Sequence, residues 1–458
     1  MCGIVGISGD RDAVRNAVLA LYALQHRGQE AAGVVADDGT RLQARHGLGL
    51  VADALGPAAL EGLSGTCAVG HVRYATAGER SLRNAQPLLF DHHRGPLAIA
   101  HNGTLTNAMG LRRELGKRGA IFRTDTDSEV VVHLIARERG DLERAAVRAL
   151  RQVQGAYSLL LLAPGKLIAV RDPRGFRPLV LGRLGRAYVV ASETTALRQL
   201  EAKIVREVEP GEMLVLEGKR LRSSFPFPEP PHRSCCVFEQ VYFARPDSRV
   251  FNLSVQSTRR AFGRELAKEM FGVEADIVVP VPDSGVPSAI GFAEESGIPF
   301  ELGFTRSHYI GRTFIQPSQS QRNTSVSLKL IPVREVLGGR RVVLVDDSIV
   351  RGTTSRIICR MLREAGVRKI HMALSSPPVV SPCFYGIDTP RRRELIASRR
   401  GSDSIRRFLG VDSLHYLSLE GLRSVVHRDQ GLGARDFCTS CFTGRYPTPI
   451  PDFREALK

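Results

Sequence analysis

The chain has 458 residues, 43% of them hydrophobic, enough for two or three domains that each bury a core. The first ten residues reach Asp10 without a basic or sustained apolar stretch, and the longest apolar runs, such as 157–163, fall far short of the roughly 20 residues of a bilayer helix. Secretory and membrane-spanning readings are thereby set aside and a cytoplasmic protein is expected; the formal charge of +17, carried mostly by dispersed Arg, suits an anionic partner or plain arginine-rich composition equally.

Apolar Val14, Val18, Leu21 and Tyr22 at helical spacing predict a helix over 12–24, and Val131, Leu134 and Ile135 a second starting near Ser128. The short apolar runs 67–72, 97–100, 157–162, 167–170 and 187–191, bounded by Gly, Pro or Asp, predict antiparallel strands covered by helices. Pro and aromatic residues crowd 225–231, which reads as an extended connector. Beyond it the rhythm becomes strand-helix alternation, with strands at 277–281 and 341–345 and helices to about 295 and over 353–365, the pattern of a parallel sheet. The expected domains are 2–230, of α+β class, and 231–458, of α/β class.

Eight cysteines in so long a chain without secretory features point to catalytic or metal use and not to a disulfide framework. Cys2 is the first to consider. A cysteine that is itself the N-terminus carries nucleophile and base together, because an α-amine with a reference pKa of about 7.7 to 8.0 is substantially neutral in the cell. That chemistry requires removal of Met1. A lone Cys in a strand such as 2–7 is more commonly a buried hydrophobe, so the case rests on what accompanies it.

The companions are His26-Arg-Gly-Gln-Glu30, His71-Val-Arg-Tyr-Ala-Thr76, His101-Asn-Gly103 and Thr124-Asp-Thr-Asp-Ser128. With Met1-Cys-Gly-Ile-Val-Gly6, in that order, they resemble the class II glutamine amidotransferases, an N-terminal-nucleophile fold with an αββα sandwich. The resemblance implies Arg73 as the clamp on glutamine's α-carboxylate and Asp127 as the partner of its α-ammonium. It also implies Asn102 and the Gly103 backbone N–H as donors to the oxyanion formed when Cys2 attacks. Arg27 and Gly28 are equally readable as shapers of this site or as structural support.

In the second half, Val342-Val-Leu-Val-Asp-Asp-Ser-Ile-Val-Arg-Gly-Thr-Thr354 is an apolar strand ending in two acids and a turn into a helix. Backbone N–H groups of 351–354 can cradle a phosphate at the helix N-terminus, Gly352 allowing close approach and the Thr353 and Thr354 hydroxyls adding donors. Asp346 and Asp347 are placed to hold ribose hydroxyls or a metal. The motif is similar to the PRPP loop of type I phosphoribosyltransferases. Tyr242-Phe-Ala-Arg-Pro-Asp-Ser248, Val281-Pro-Asp-Ser284, Gly311-Arg-Thr-Phe-Ile-Gln-Pro317 and Ser375-Ser-Pro-Pro378 extend the resemblance over nearly the whole chain to the glutamine phosphoribosylpyrophosphate amidotransferases.

That resemblance implies PRPP at Asp346, Asp347, Ser348, Arg351, Gly352, Thr353 and Thr354, one Mg²⁺ per subunit near Ser284, Asp346 and Asp347, feedback purine nucleotides and a homo-oligomer. The polar stretch 311–329 reads either as a loop that closes over PRPP or as an ordinary surface loop. Just before it, Thr305-Arg-Ser-His-Tyr309 departs from the family's Lys-Asn pair, which leaves contacts there unassigned.

Cys438-Thr-Ser-Cys441 is a CxxC pair, and by spacing alone a Cys₄ zinc site is the stronger reading. The resemblance to the family's iron-sulfur subclass implies instead a [4Fe-4S] cluster on Cys236, Cys383, Cys438 and Cys441, with Cys235 the alternative to Cys236 and a structural role, since the expected reaction moves no electrons. Cys67 and Cys359 read as core residues. The resemblance implies a transferase that makes ammonia from glutamine and passes it to PRPP, opening purine synthesis, with no nucleic acid or membrane partner. Another class II amidotransferase and a PRPP-sensing nucleic-acid-binding regulator are the rivals; Asp346-Asp347 with 351–354 counts against the first, and the Cys2 group against the second.

Overall fold

All six residues of strand Gly3–Ser8 are buried, so this strand needs cover on both faces. In the computed structural model, which describes residues 1–74, 79, 81–230, 232–307, 330–427 and 433–453, it lies inside an antiparallel sheet. The order is Lys203–Glu207, Val180–Leu184, Ala187–Ala191, Gly3–Ser8, Cys67–Arg73, Ala31–Asp37, Leu42–Leu48. A second antiparallel sheet is ordered Arg220–Ser224, Met213–Glu217, Lys166–Arg171, Gly155–Ala163, Gly95–Leu105, Leu88–His92. Alternation sorts the first strand's side chains. Ile4 joins Val69, Ala98, Ala100, Leu160 and Leu167 between the sheets, whereas Val5 and Ile7 share a core with helix Ala13–Ala23. Helices Ser128–Arg137 and Leu142–Leu150 cover the far face of the second sheet through Val131, Ile135, Ala145 and Ala149. This is the expected αββα sandwich.

The strand anticipated at 97–100 runs further, Gly95–Leu105, because His101 and Asn102 are buried polar residues that a search for apolar runs passes over. Residues 225–230 carry neither helix nor strand, as expected of a connector; Pro231 lies outside the described residues.

The second half is built on a parallel sheet ordered Ile277–Pro280, Arg341–Asp346, Lys369–Leu374, Ser413–Tyr416. Helices Val255–Glu269 and Val286–Ser296 contribute Phe262, Leu266, Ala289 and Phe292 to one face, beside Val278, Val343 and Ala373. Helices Thr353–Glu364 and Ser402–Leu409 cover the other, with Ile358, Leu362 and Ile405 beside Val342, Leu344 and Ile370. The central strand therefore ends at Asp346 in the crevice where such sheets bind ligands.

Two features tie the halves together. The C-terminal tail returns to the sandwich: the Asp452 carboxylate accepts from Met109 N (2.6 Å) and Gly110 N (3.2 Å) at the start of helix Ala108–Lys117, and Thr106 Oγ1 donates to Pro449 O (2.9 Å). At the junction Arg27 is fully buried. Its guanidinium meets Glu239 at 2.8 and 3.1 Å and pairs with Glu193, while Nε donates to Cys2 O at 2.9 Å. Arg177, also fully buried, reaches Glu239 at 3.3 Å. Glu239→Ala would strand Arg177 without solvent or a carboxylate and leave Arg27 with Glu193 alone, a broken buried pair that costs about 3–5 kcal/mol. A thermal-unfolding comparison is expected to show a lowered midpoint for Glu239→Ala and a smaller fall for Glu239→Gln.

Candidate active site

Cys2 precedes Gly3, which registers with Val72, so the thiol stands level with Arg73. By the same alternation Cys2, Arg73 and Asn102 all belong to the inner faces of their sheets and meet at one end of the sandwich. The Cys2 thiol lies 3.6 Å from Tyr74 O, and its charged neighbours are the α-amine, Arg73 and Asp127. Burial raises its pKa, outweighing the N-terminal and Arg73 charges, so at neutral pH it is a thiol in need of a base. Burial brings the Met1 α-amine down to about 5, with Arg177 and Arg27 acting in the same direction. An amine in this pocket is neutral and can accept a proton.

Asn102 is fully buried and neither its Nδ2 nor its Oδ1 has a partner among the described residues. Gly103 has φ 151°, and a Cβ there would stand 2.0 Å from Ala156 O, so only glycine fits. Asp127 opens helix Ser128–Arg137 but does not cap it. Its carboxylate accepts from Leu105 N (2.8 Å) and lies 3.7 Å from His101 Nδ1. Burial pushes its pKa up, but His101 and the Leu105 N–H outweigh this and the net shift is downward, keeping it ionised. Arg73 is buried, donates to Glu79 O (3.1 Å) and lies 3.9 Å from Glu30. Gly28 is required for that placement, since a Cβ would lie 2.6 Å from the Arg73 backbone. Ala75 and Thr76 lie outside the described residues.

At the end of the parallel sheet, Asp346 and Asp347 are buried side by side. Burial pushes both carboxyl pKa values up, Asp346 most because the Asp347 charge adds to it; at Asp347 the Ser284 and Ser348 hydroxyls, the Arg259 charge and a hydrogen bond with Asp346 act the other way without cancelling the burial. The turn after them is open: among the described residues, none of the backbone N–H groups from Arg351 to Thr354 has an acceptor. Gly352 has φ 77°, but a Cβ there would point at Ile396 and Phe408, at 2.9 and 3.2 Å, so the glycine serves the turn's own conformation and packing and not a close approach to phosphate. The Arg351 side chain pairs with Glu394 at 2.9 Å, so it is its backbone N–H that is without an acceptor among the described residues. Arg306, from the segment that departs from the family pattern, pairs with Asp283 beside Ser284. The anticipated closing loop, 311–329, lies outside the described residues, as do His308 and Tyr309.

The thiols of Cys236, Cys383, Cys438 and Cys441 act on one another at the junction. Cys235–Cys236 pairs in parallel with Phe437–Cys438, bringing Cys236 opposite Cys438. Alternation sends Cys235 the other way, to Arg171, Glu207 and Phe251. Burial pushes the Cys236 thiol up to about 12 and raises Cys438 and Cys441. Cys67 and Cys359 are buried singly in apolar cores. Two participants escaped sequence reasoning: Arg177 and Glu239. Arg177 Nε donates to Tyr385 O (2.7 Å), its Nη1 meets Met1 and Glu239, the charges of Cys236 and Cys383 act on it, and no spacing signal marks it.

A nucleophile pocket in an αββα sandwich, joined to an open phosphate turn on a parallel sheet, defines a two-headed amidotransferase. Profiles of a glutamine amidotransferase domain and a phosphoribosyl transferase domain match residues 71–199 and 254–376. The amidophosphoribosyltransferase of Bacillus subtilis is 48% identical over 100% of this chain and 97% of its own, and that of Methanocaldococcus jannaschii 45% over 98% of each. Amidophosphoribosyltransferase 2 of Arabidopsis thaliana, described as chloroplastic, is 50% identical over 97% of this chain and 79% of its own. The solved structure of glutamine PRPP amidotransferase from B. subtilis, complexed with ADP and GMP, superposes with TM-score 0.92 at 47% identity over 98% of both chains. The chain belongs to the amidophosphoribosyltransferase family, and the resemblance read from its motifs is borne out.

An unpartnered buried amide costs about 1–3 kcal/mol. Asn102→Leu is therefore expected to raise the thermal midpoint while glutamine turnover is lost; an unchanged or lowered midpoint would show that the amide is satisfied.

Proposed function

We propose that the protein hydrolyses glutamine at Cys2 and delivers the ammonia to PRPP, giving 5-phosphoribosylamine, glutamate and pyrophosphate, the first step of purine synthesis. The observation that carries this reading is the orphaned Asn102 amide beside a buried Cys2 in the same chain as an open phosphate turn below paired acids. Residues 2–230 are assigned to the first activity and 231–458 to the second.

With Met1 removed, the Cys2 α-amine takes the thiol proton as sulfur bonds to the carboxamide carbon. Asn102 and the Gly103 N–H receive the oxyanion, Arg73 holds the α-carboxylate and Asp127 the α-ammonium. The C–N bond then breaks, the proton leaves with ammonia, and water releases glutamate from the thioester. At the second head the N–H groups of 351–354, with the Ser348, Thr353 and Thr354 hydroxyls, bind the 5′-phosphate. Ammonia attacks C1 as the bond to pyrophosphate breaks. Neutral ammonia is already nucleophilic, so this head supplies orientation and charge stabilisation and keeps water out.

The raised carboxyl pKa values of Asp346 and Asp347 fit a cation. Mg²⁺, near these acids and Ser284, would neutralise charge on the leaving pyrophosphate, and sparse protein ligation suits an ion that keeps water and substrate oxygens. The four thiols also fit a metal group, because buried thiolates need positive charge. A single zinc would need sulfurs about 2.3 Å from one point. Among the described residues no three His, Cys, Asp or Glu side chains are placed to hold a single metal ion; the choice of a [4Fe-4S] core on Cys236, Cys383, Cys438 and Cys441 over zinc follows the iron-sulfur subclass that the motifs resemble. Purine nucleotides are proposed as effectors, by analogy with the ADP and GMP of the B. subtilis complex, and a cytoplasmic homo-oligomer as the working form. No described helix is long and apolar enough to cross a membrane.

Two measurements test these assignments. Pyrophosphate release from PRPP is expected to lose its glutamine-dependent rate in Cys2→Ala and to keep its ammonia-dependent rate within about twofold; loss of both would break the division between heads. Iron and sulfide analysis is expected to find the cluster in Cys235→Ser and to lose it in Cys236→Ser, and zinc in the wild type would overturn the assignment.

A further inference from the structure

The Gly103 peptide is walled on two sides. One wall is the neighbouring strand, through Ala156 O. The other is Gly386, with φ 113°: a Cβ on Gly386 would lie 3.1 Å from Gly103 Cα, 3.2 Å from Gly103 C and 3.3 Å from Arg177 Nε. Two glycines thus pack backbone to backbone, one from each half of the chain.

Gly386 is firmly held. Arg177 Nε donates to Tyr385 O, and the Tyr385 ring stacks on Phe176 with centroids 4.2 Å apart. The Cys383 N–H donates to Thr389 Oγ1 at 2.6 Å, closing the loop that contains Gly386. Further along the same segment, Glu394 pairs with Arg351, and Ile396 N donates to Val350 O at 2.9 Å on the phosphate turn.

We infer that Gly386 is a positioning residue for glutamine hydrolysis: its bare Cα is the second wall that holds the Gly103 peptide at the angle an oxyanion requires. The inference rests on the assignment of Asn102 and Gly103 as oxyanion donors. A backbone donor is worth its full effect only when placed within a fraction of an ångström. Gly103, a glycine at positive φ, has other conformations open to it unless both sides are blocked. A methyl group at 386 meets Gly103 and Arg177 before any other atom, on a backbone whose positive φ disfavours a side chain.

The test compares Gly386→Ala with wild type in four assays: glutamine hydrolysis, affinity for the aldehyde analogue of glutamine, which adds the Cys2 thiol to give a tetrahedral adduct, KM for glutamine, and ammonia-dependent pyrophosphate release. Expected is a fall in glutamine kcat of about 10- to 100-fold, a comparable weakening of the aldehyde, and KM and the ammonia reaction within about twofold. Wild-type glutamine turnover, or an equal loss of the ammonia reaction, overturns the inference. Should Gly386→Ala fail to fold, Thr389→Val removes one anchor of the loop and is expected to give the same pattern at about 3- to 10-fold; no effect there overturns it. Asn102→Leu serves as the control for the underlying reading: if it turns over glutamine normally, the oxyanion assignment fails, whatever Gly386→Ala does.

Discussion

Charges buried without solvent must neutralise one another, and behind Cys2 two guanidiniums and two carboxylates do so across the halves of the chain. Arg27 and Glu193 come from the sandwich, Glu239 from the π-helical turn that follows the connector, and Arg177 from the loop leaving strand Lys166–Arg171. Each alone would be too costly to bury. Together they fix the Cys2 carbonyl through Arg27 Nε and place positive charge beside the chain's first amine. Burial, with that charge acting in the same direction, keeps the Met1 amine neutral, which is the state a base at this position needs. The same interactions that dock the second half onto the first thus prepare the nucleophile.

The two heads follow opposite electrostatic logic. At Cys2, burial holds the thiol uncharged, so in the proposed reaction the proton moves as the carbon–sulfur bond forms and the unpartnered Asn102 amide would receive the charge that then develops. At Asp346 and Asp347 burial opposes two charges that the proposed substrate and cation would relieve, and the N–H groups of 351–354, without acceptors among the described residues, would present positive partial charge to an ionised phosphate. The first head is poised for a transition state. The second is poised for a substrate.

Period-two alternation made much of this legible in the sequence. The run from Cys2 to Ile7, the strand into Arg73 and the acids at 346 and 347 are local patterns, and each lay where its pattern placed it. The end of the strand at Asn102-Gly103 was legible only by motif, since an apolar-run reading stops at Ala100 where burial continues through polar residues. Other features needed tertiary contacts. Asp127 has the sequence of a helix cap, yet Leu105 N and His101 hold it in the site. Gly352 looks like a phosphate-approach glycine, yet its neighbours are Ile396 and Phe408. Cys235 and Cys236 are one residue apart, and only pairing with Phe437–Cys438 separates their directions. Arg177, Glu239 and Gly386 carry no periodicity that could announce them, because their roles lie in what a distant segment brings against them.

The thiol group completes the junction. Cys236 follows the connector, Cys383 leaves the parallel sheet, and Cys438 and Cys441 belong to the tail that returns to the sandwich through Asp452 and Pro449. A metal core holding all four would close long loops without a disulfide. Its effect would extend beyond stability. Cys383 lies three residues before Gly386, and Arg177 bonds Tyr385 and the first residue of the chain and lies in the field of Cys236 and Cys383. An oxidant that dismantled the thiol group would therefore slacken the wall behind Gly103 before it reached the phosphate turn, so the glutamine reaction should be the first lost and the ammonia reaction the last.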